Sequence, residues 1–230
     1  MRIALIGYGR MGHAVRDLAE ARGHDVPVIV GEAHQHMAAE MFPETLRMAD
    51  VAIDFSSAEA VCRNVEACML AEIPIVVGTT GWSDEMSDIT AIVQKSGGAM
   101  IFGANFSIGV NLFYKVAEYA AELFARFPDY EAFIEEQHHS RKRDAPSGTA
   151  LKLKEVVEKH VTIGDIAATR AGNIPGTHRL GFDSAADQIL LEHTARSRDG
   201  FALGAIKAAE WIVAKKGFYE FADVLDSISK

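Results

Sequence analysis

The run Gly7-Tyr8-Gly9-Arg10-Met11-Gly12 follows directly on the apolar segment Arg2–Ile6 and leads into a stretch of helical periodicity. A glycine triplet spaced G-x-G-x-x-G at such a strand-to-helix junction leaves few options. The first glycine permits a tight turn, the second lets an anionic group approach the backbone, and the third brings helix and strand into close contact. The helix amides then face whatever anion is bound. The segments that follow agree with this start. Short apolar runs predict strands at Ile3–Ile6, Val26–Val30, Val51–Phe55, Ile75–Val77 and Met100–Phe102, with helices over about Met11–Arg22, Ala58–Ala71 and Asp84–Ser96. That alternation is the pattern of a parallel sheet covered on both faces. The segment Glu32–Met48 is less regular, with a helix expected within it.

After Asn105 the pattern changes. A long amphipathic helix is expected from about Gly109 to Phe127, then an extended run Tyr130–Gln137, a helix over about Ser147–His160, and strand-like pieces at Arg179–Phe182 and Gln188–Thr194. Helical periodicity returns over Phe201–Lys216, and a last helical stretch closes the chain. The fold class read from this order is α/β, with a Rossmann-type parallel-sheet domain of residues 1–106 and 201–230 and a smaller α+β domain of residues 107–200. No low-complexity linker separates them, so tight hinges are expected near Asn105 and Phe201.

Composition narrows the partners. With 230 residues, 49% of them hydrophobic, the chain can bury full cores, and a net charge of -9 disfavours nucleic acid and anionic membranes as partners. Cys62 and Cys68 lie six apart in an expected helix, match no metal-ligand spacing and read as reduced thiols. No apolar run approaches the roughly 20 residues of a membrane span, and the first residues read as a strand rather than a signal peptide. A cytoplasmic location is the expectation.

Three segments fall at the carboxyl ends of the expected parallel strands, where such sheets bind ligands. They are the glycine loop, Asp54-Phe55-Ser56-Ser57 and Gly78-Thr79-Thr80-Gly81. Ser57 serves equally well as the N-cap of the next helix. Glu32 stands 20 residues after Gly12, where an acidic side chain bonds the adenosine ribose hydroxyls of NAD, whereas the 2′-phosphate of NADP wants cations, and Arg10, His34 and His36 are within reach of it. The choice between NADH and NADPH stays open.

A second chemistry is concentrated in Gln137–Thr149. His138 and His139 can exchange protons near neutral pH, and Arg141, Lys142 and Arg143 offer fixed positive charge to a carboxylate. Pro146 suits a first helical turn, which would leave the amides of Ser147, Gly148 and Thr149 as an anion cradle. His24, His34, His36 and His160 read as surface residues and His13 as packing, while His178 and His193 are each able to reach a substrate cavity. No spacing calls for a metal, and neither a Gly-x-Ser-x-Gly elbow nor a Cys–His pair is present.

Over nearly its whole length the chain resembles the dihydrodipicolinate reductases, also called 4-hydroxy-tetrahydrodipicolinate reductases. The resemblance rests on the glycine loop, on Asp54-Phe55-Ser56, on Gly78-Thr79-Thr80-Gly81, on Ala104-Asn105-Phe106-Ser107-Ile108-Gly109-Val110-Asn111, and on His138-His139 leading through Lys142 to Asp144-Ala145-Pro146-Ser147-Gly148-Thr149-Ala150. Arg170-Ala171-Gly172, Gly176-Thr177-His178 and His193-Thr194-Ala195-Arg196-Ser197-Arg198 add to it. It implies reduction of a cyclic dicarboxylate, 4-hydroxy-2,3,4,5-tetrahydrodipicolinate, by NADPH or NADH in the diaminopimelate route to lysine. By position it implies that His138 is the acid–base and Lys142 the proton-donating or substrate-orienting cation. His139, Gly148 and Thr149 would bind substrate. Gly7, Tyr8, Gly9, Arg10, Met11, Gly78, Thr79, Thr80, Gly103, Ala104, Asn105 and Phe106 would contact the cofactor, with Glu32 added by its spacing. A homotetramer joined through the second domain is also implied. The glycine loop is one residue shorter than the G-x-G-G-R-M-G of many members, and the family's acidic-then-basic cofactor selector is not evident. Two other readings use the same first domain: a different two-domain amino-acid or imine dehydrogenase, and a protein that senses NAD(P)H without turnover.

Overall fold

The computed structural model describes residues 1–34 and 37–228. Contacts divide the chain into two compact units, residues 1–108 with 198–230, and residues 109–197.

The first unit is built on six parallel strands. They are β1 (Arg2–Ile6), β2 (Asp25–Val30), β3 (Val51–Asp54), β4 (Ile75–Val77), β5 (Ala99–Phe102) and β10 (Gly217–Glu220), in the order β10-β5-β4-β3-β1-β2. β3 and β4 are buried on both faces, so they read as continuous apolar runs rather than alternating ones. Helices α1 (Arg10–Ala21), α7 (Asp199–Ile212) and α8 (Phe221–Ile228) share one apolar core with Ile3, Leu5, Ile53 and Ile101. On the other side α2 (Pro43–Leu46), α3 (Val61–Leu70) and α4 (Met86–Ser96) cover Ala4, Ile6, Ala52 and Val77.

Two features differ from the sequence expectation here. The edge strand β10 lies within the stretch between the two expected C-terminal helices; it is four residues long and only half-buried, too short for its own periodicity. The irregular segment after β2 forms two single-turn 3-10 helices and the short α2. The strand order turns back at β1, which has β2 on one side and β3 on the other. That reversal opens the ligand crevice of such sheets at the carboxyl ends of β1 and β3.

The second unit is a four-stranded sheet in the order β7-β6-β8-β9, made of β6 (Glu131–His138), β7 (Ala167–Arg170), β8 (Thr177–Asp183) and β9 (Gln188–Thr194). β7 pairs parallel to β6, and the other pairs are antiparallel. Helices α5 (Ile108–Phe124) and α6 (Gly148–Val157) supply Phe113, Ala117, Leu153 and Val157 to a core with Ala132, Ile134, Leu180 and Phe182. The exposed edge strand β7 had no strand signal of its own in the sequence. Among the described residues no helix is long and apolar enough to cross a membrane.

Candidate functional site

In the first unit a cavity of about 790 Å³ opens at the ends of β1 and β2, lined by Gly7, Tyr8, Gly9, Glu32, His34 and Arg63 among others. A smaller one of about 380 Å³ is lined by Gly9, Arg10, Met11, Gly78, Thr79 and Thr80, and the two share Gly9, Phe55, Ser56 and Ser57. The glycines explain the shape. Gly7 has φ +87°, and a Cβ there would lie 2.3 Å from the Phe55 carbonyl oxygen, while one on Gly12 would lie 2.4 Å from the Gly7 oxygen. A Cβ on Gly9 would meet nothing within 4 Å, so this residue faces open space at the N-terminus of α1. No acidic side chain sits in the first turn of α1 to neutralise the helix dipole. Bare amides beside an open groove fit a dinucleotide pyrophosphate.

A buried carboxylate stands behind this groove. Asp54 Oδ1 accepts from the Ser56 amide, the Ser56 hydroxyl and the Thr79 hydroxyl at 2.7–2.8 Å, and Oδ2 accepts from Asn64 Nδ2 at 2.8 Å. Burial pushes the Asp54 carboxyl up, and the hydrogen bonds from Ser56, Asn64 and Thr79 pull it back. The result ties the loops after β3 and β4 to one anchor. Tyr8 is held as well, stacked on His13 with centroids 4.0 Å apart and accepting from Arg16 at 2.7 Å.

The structure places the expected nucleotide residues unevenly. Gly7, Tyr8, Gly9, Arg10, Met11, Glu32, Gly78, Thr79 and Thr80 line the two cavities. Gly103, Ala104, Asn105 and Phe106 line neither; the Phe106 ring is buried against Phe55 and Phe221, and Asn105 caps the Ser107 amide at 2.8 Å. His34 lines the first cavity, whereas His36 lies outside the described residues. Arg63, which the sequence reading did not single out, lies over the Phe42 ring and donates to the His34 and Met37 carbonyls. Its position on a helix far along the chain gave no local signal.

In the second unit, burial alternates along β6, and the face that buries Ala132 and Ile134 goes on to carry Glu136 and His138. Register supplies their neighbours. His178 on β8 is opposite Glu136, Arg170 on β7 is opposite His138, and His193 on β9 is opposite His178. Glu136 Oε1 accepts from Arg170 and, at 3.0 Å, from the Ser147 amide. Its Oε2 is 3.3 Å from His138 Nδ1 and 3.7 Å from His178 Nε2, yet neither Oε2 nor His138 Nδ1 completes a hydrogen bond. Burial pulls the His138 ring down; Glu136 opposes this and Lys142 and Arg170 reinforce it. His178 is pulled down to about 4 by burial and then by His138, so it is neutral at physiological pH. Burial also raises Glu136, but the hydrogen bonds from Ser147 and Arg170 outweigh it and hold the carboxylate ionised.

Two sequence expectations change here. The Ala145–Pro146 peptide is cis and Pro146 precedes the helix; Ser147 is the N-cap, its hydroxyl accepting from the Ala150 amide. The Ser147 amide is given to Glu136, so the anion cradle narrows to Gly148 and Thr149. Lys142 carries a 2.8 Å ion pair to the exposed Asp144. An exposed pair of this kind is worth about 0–1 kcal/mol and yields readily to an incoming carboxylate. His139 is half-buried beside this segment. Glu136, His138 and His178 hold donor atoms within 4.8 Å of one another, a cluster invisible in the spacing because His178 comes from another strand. Arg170 bound to the same carboxylate, with Lys142 nearby, places positive charge where a cation would sit. The surroundings suit an anion.

The comparisons with known proteins cover both units. Residues 1–106 match the family model described as dihydrodipicolinate reductase, N-terminus, and residues 109–225 the model of the C-terminus. The 4-hydroxy-tetrahydrodipicolinate reductase of Christiangramia forsetii is 37% identical over 243 aligned positions covering 100% of both chains. That of Thermosipho africanus is 35% identical, covering 98% of each. Among solved structures, a dipicolinate-bound dihydrodipicolinate reductase from Paenisporosarcina sp. TG-14 shares the fold with a TM-score of 0.79 at 22% identity, covering 97% of this chain and 99% of that one. An amine dehydrogenase from Mycobacterium smegmatis shares it with a TM-score of 0.60 at 8% identity, over 97% of this chain and 95% of its own. From the glycine loop of the first unit to the histidine and lysine segment of the second, the chain belongs to the dihydrodipicolinate reductase family.

Proposed function

We propose that this protein reduces 4-hydroxy-2,3,4,5-tetrahydrodipicolinate to 2,3,4,5-tetrahydrodipicolinate with NADPH or NADH, on the diaminopimelate route to lysine. The observation that carries the reading is His138 within electrostatic reach of Lys142, on the segment that leads to the N-terminus of α6, in a chain whose other unit holds a glycine-lined groove. When bound, the nicotinamide supplies the hydride. The first unit binds it through the amides of Gly7 to Met11, the Gly78–Thr80 loop and Glu32, with residues 103–106 acting as the expected remaining contacts.

In the second unit Lys142 and the amides of Gly148 and Thr149 hold substrate carboxylates, with His139 beside them. Lys142 exchanges Asp144 for substrate at little cost. His138 gives a proton to the ring system as negative charge develops there. Its ring titrates low without substrate, and the two negative charges of a bound dicarboxylate raise it toward the working pH.

The same reading includes a homotetramer in the cytoplasm, joined through the second unit. Support comes from the exposed apolar residues Leu112, Val116, Tyr119, Leu123, Ile189 and Leu190, all in that unit. Sedimentation equilibrium gives the oligomer size directly.

The activity is tested by following oxidation of NADH and NADPH with freshly generated product of the preceding synthase step. Lys142→Ala should lower kcat/KM by about 10- to 100-fold, the worth of a charge-assisted hydrogen bond. Absence of oxidation with both cofactors, while either still binds, contradicts the activity.

A further inference from the structure

We propose that Glu136 is the positioning residue for His138, holding the ring with its Nδ1 proton on Oε2 so that Nε2 is the atom that gives the proton. The proposal rests on the reading of His138 as proton donor and adds a residue to which neither sequence nor resemblance gave a role.

The geometry carries it. Glu136 is 1% exposed, and its two oxygens are used differently. Oε1 is fixed by Arg170 from β7 and by the Ser147 amide from the start of α6, two donors from separate elements. The carboxylate therefore cannot turn, and Oε2 is left facing His138 Nδ1 at 3.3 Å. Both atoms are buried without a completed hydrogen bond, a condition rare in folded proteins and concentrated where chemistry needs it. On the far side of the ring, a Cβ on Gly176 would lie 3.0 Å from Nε2, so the absence of a side chain there keeps that nitrogen accessible. After Nε2 releases its proton, the neutral ring keeps the Nδ1 proton against Glu136.

The charged and titratable groups facing His138 are Glu136 on its own strand, Arg170 on β7, His178 on β8, and Lys142 and Asp144 on the following loop. Glu136 is the nearest group that favours the protonated ring. Its effect can be isolated by Glu136→Gln. Arg170 and the Ser147 amide both need an oxygen at the Oε1 position, so the Gln amide nitrogen must take the Oε2 position. There it opposes an Nδ1 proton and disfavours the imidazolium.

The experiment measures kcat and KM against pH for the parent, Glu136→Gln, Glu136→Asp and His138→Gln, with histidine ring nitrogen shifts recorded for the first two. In Glu136→Gln the pH at which kcat/KM falls on the alkaline side should drop by about one unit or more, with KM within about threefold of the parent. Glu136→Asp, which keeps the charge, should keep that limb near the parent's. The parent His138 should carry its neutral-form proton on Nδ1. An unmoved limb in Glu136→Gln, alongside an inactive His138→Gln, overturns the role of Glu136 alone. An active His138→Gln overturns the underlying assignment as well. If Glu136→Gln does not fold, an Nε2 proton on the parent's neutral His138 overturns the proposal and an Nδ1 proton upholds it.

Discussion

Asp54 and Glu136 are both buried carboxylates at or near the carboxyl end of a strand, and they are surrounded in opposite ways. Asp54 meets four neutral donors, three from the loops after β3 and β4 and one from Asn64 on α3, and both of its oxygens accept hydrogen bonds. Glu136 meets a guanidinium and an amide on one oxygen and two imidazoles on the other, and the second oxygen is left without a completed hydrogen bond. A satisfied carboxylate rigidifies a binding groove, whereas one with an unused oxygen beside a titratable ring is poised for proton chemistry. In the proposed reaction the first unit binds through the shape of its backbone, and the second reacts through its charge.

The two carboxylates also predict opposite responses to acid, and this is the largest effect to look for. His178 sits at about 4 when folded against 6.5 when unfolded, so the unfolded state takes up the proton first and stability falls as pH drops through that window. The loss should reach about 3 kcal/mol at its lower end. His138, His193 and the lowered Glu136 act in the same sense. Asp54 is raised, so its folded form takes up the proton first and its contribution grows as pH falls. Amide exchange in β6 and β8 should therefore accelerate on acidification more than exchange in β1 and β3, and His178→Gln should shrink the difference. Equal acceleration in both sheets breaks the contrast.

Asp54→Asn comes next. Its amide nitrogen would confront the Asn64 amide, whose oxygen already accepts from Arg63, at a cost of about 1–3 kcal/mol. Denaturant unfolding should show this loss, and cofactor affinity should fall with it while the pH profile of turnover stays in place. A shifted profile would mean that Asp54 communicates with the proton donor. Asp144→Asn is the smallest change. Removing the competitor for Lys142 should lower KM by no more than about fivefold, within the 0–1 kcal/mol of an exposed pair, and leave kcat unchanged.

The same contrast explains what the sequence made legible. The glycine groove is local: Gly7, Gly9 and Gly12 act within six residues, so their spacing was enough to place α1, the crevice and the cavity lining. The long helices and buried strands showed through their periodicity, and β7 and β10 escaped because short, partly exposed edge strands have little. In the second unit His138 and Lys142 announced themselves by proximity along the chain. Glu136 did not, because its meaning depends on Arg170 and His178, which reach it only through the register of β7 and β8. The role of the Ser147 amide was likewise hidden, since Pro146 lies before the cap instead of in the first turn.

The most direct test of this division between binding and chemistry is to measure NADPH affinity and turnover together for His138→Gln. Affinity should match the parent while turnover falls by about 10²- to 10⁴-fold, the usual contribution of a positioned general acid. Parent-like turnover, or an equal loss of cofactor affinity and rate, would contradict it.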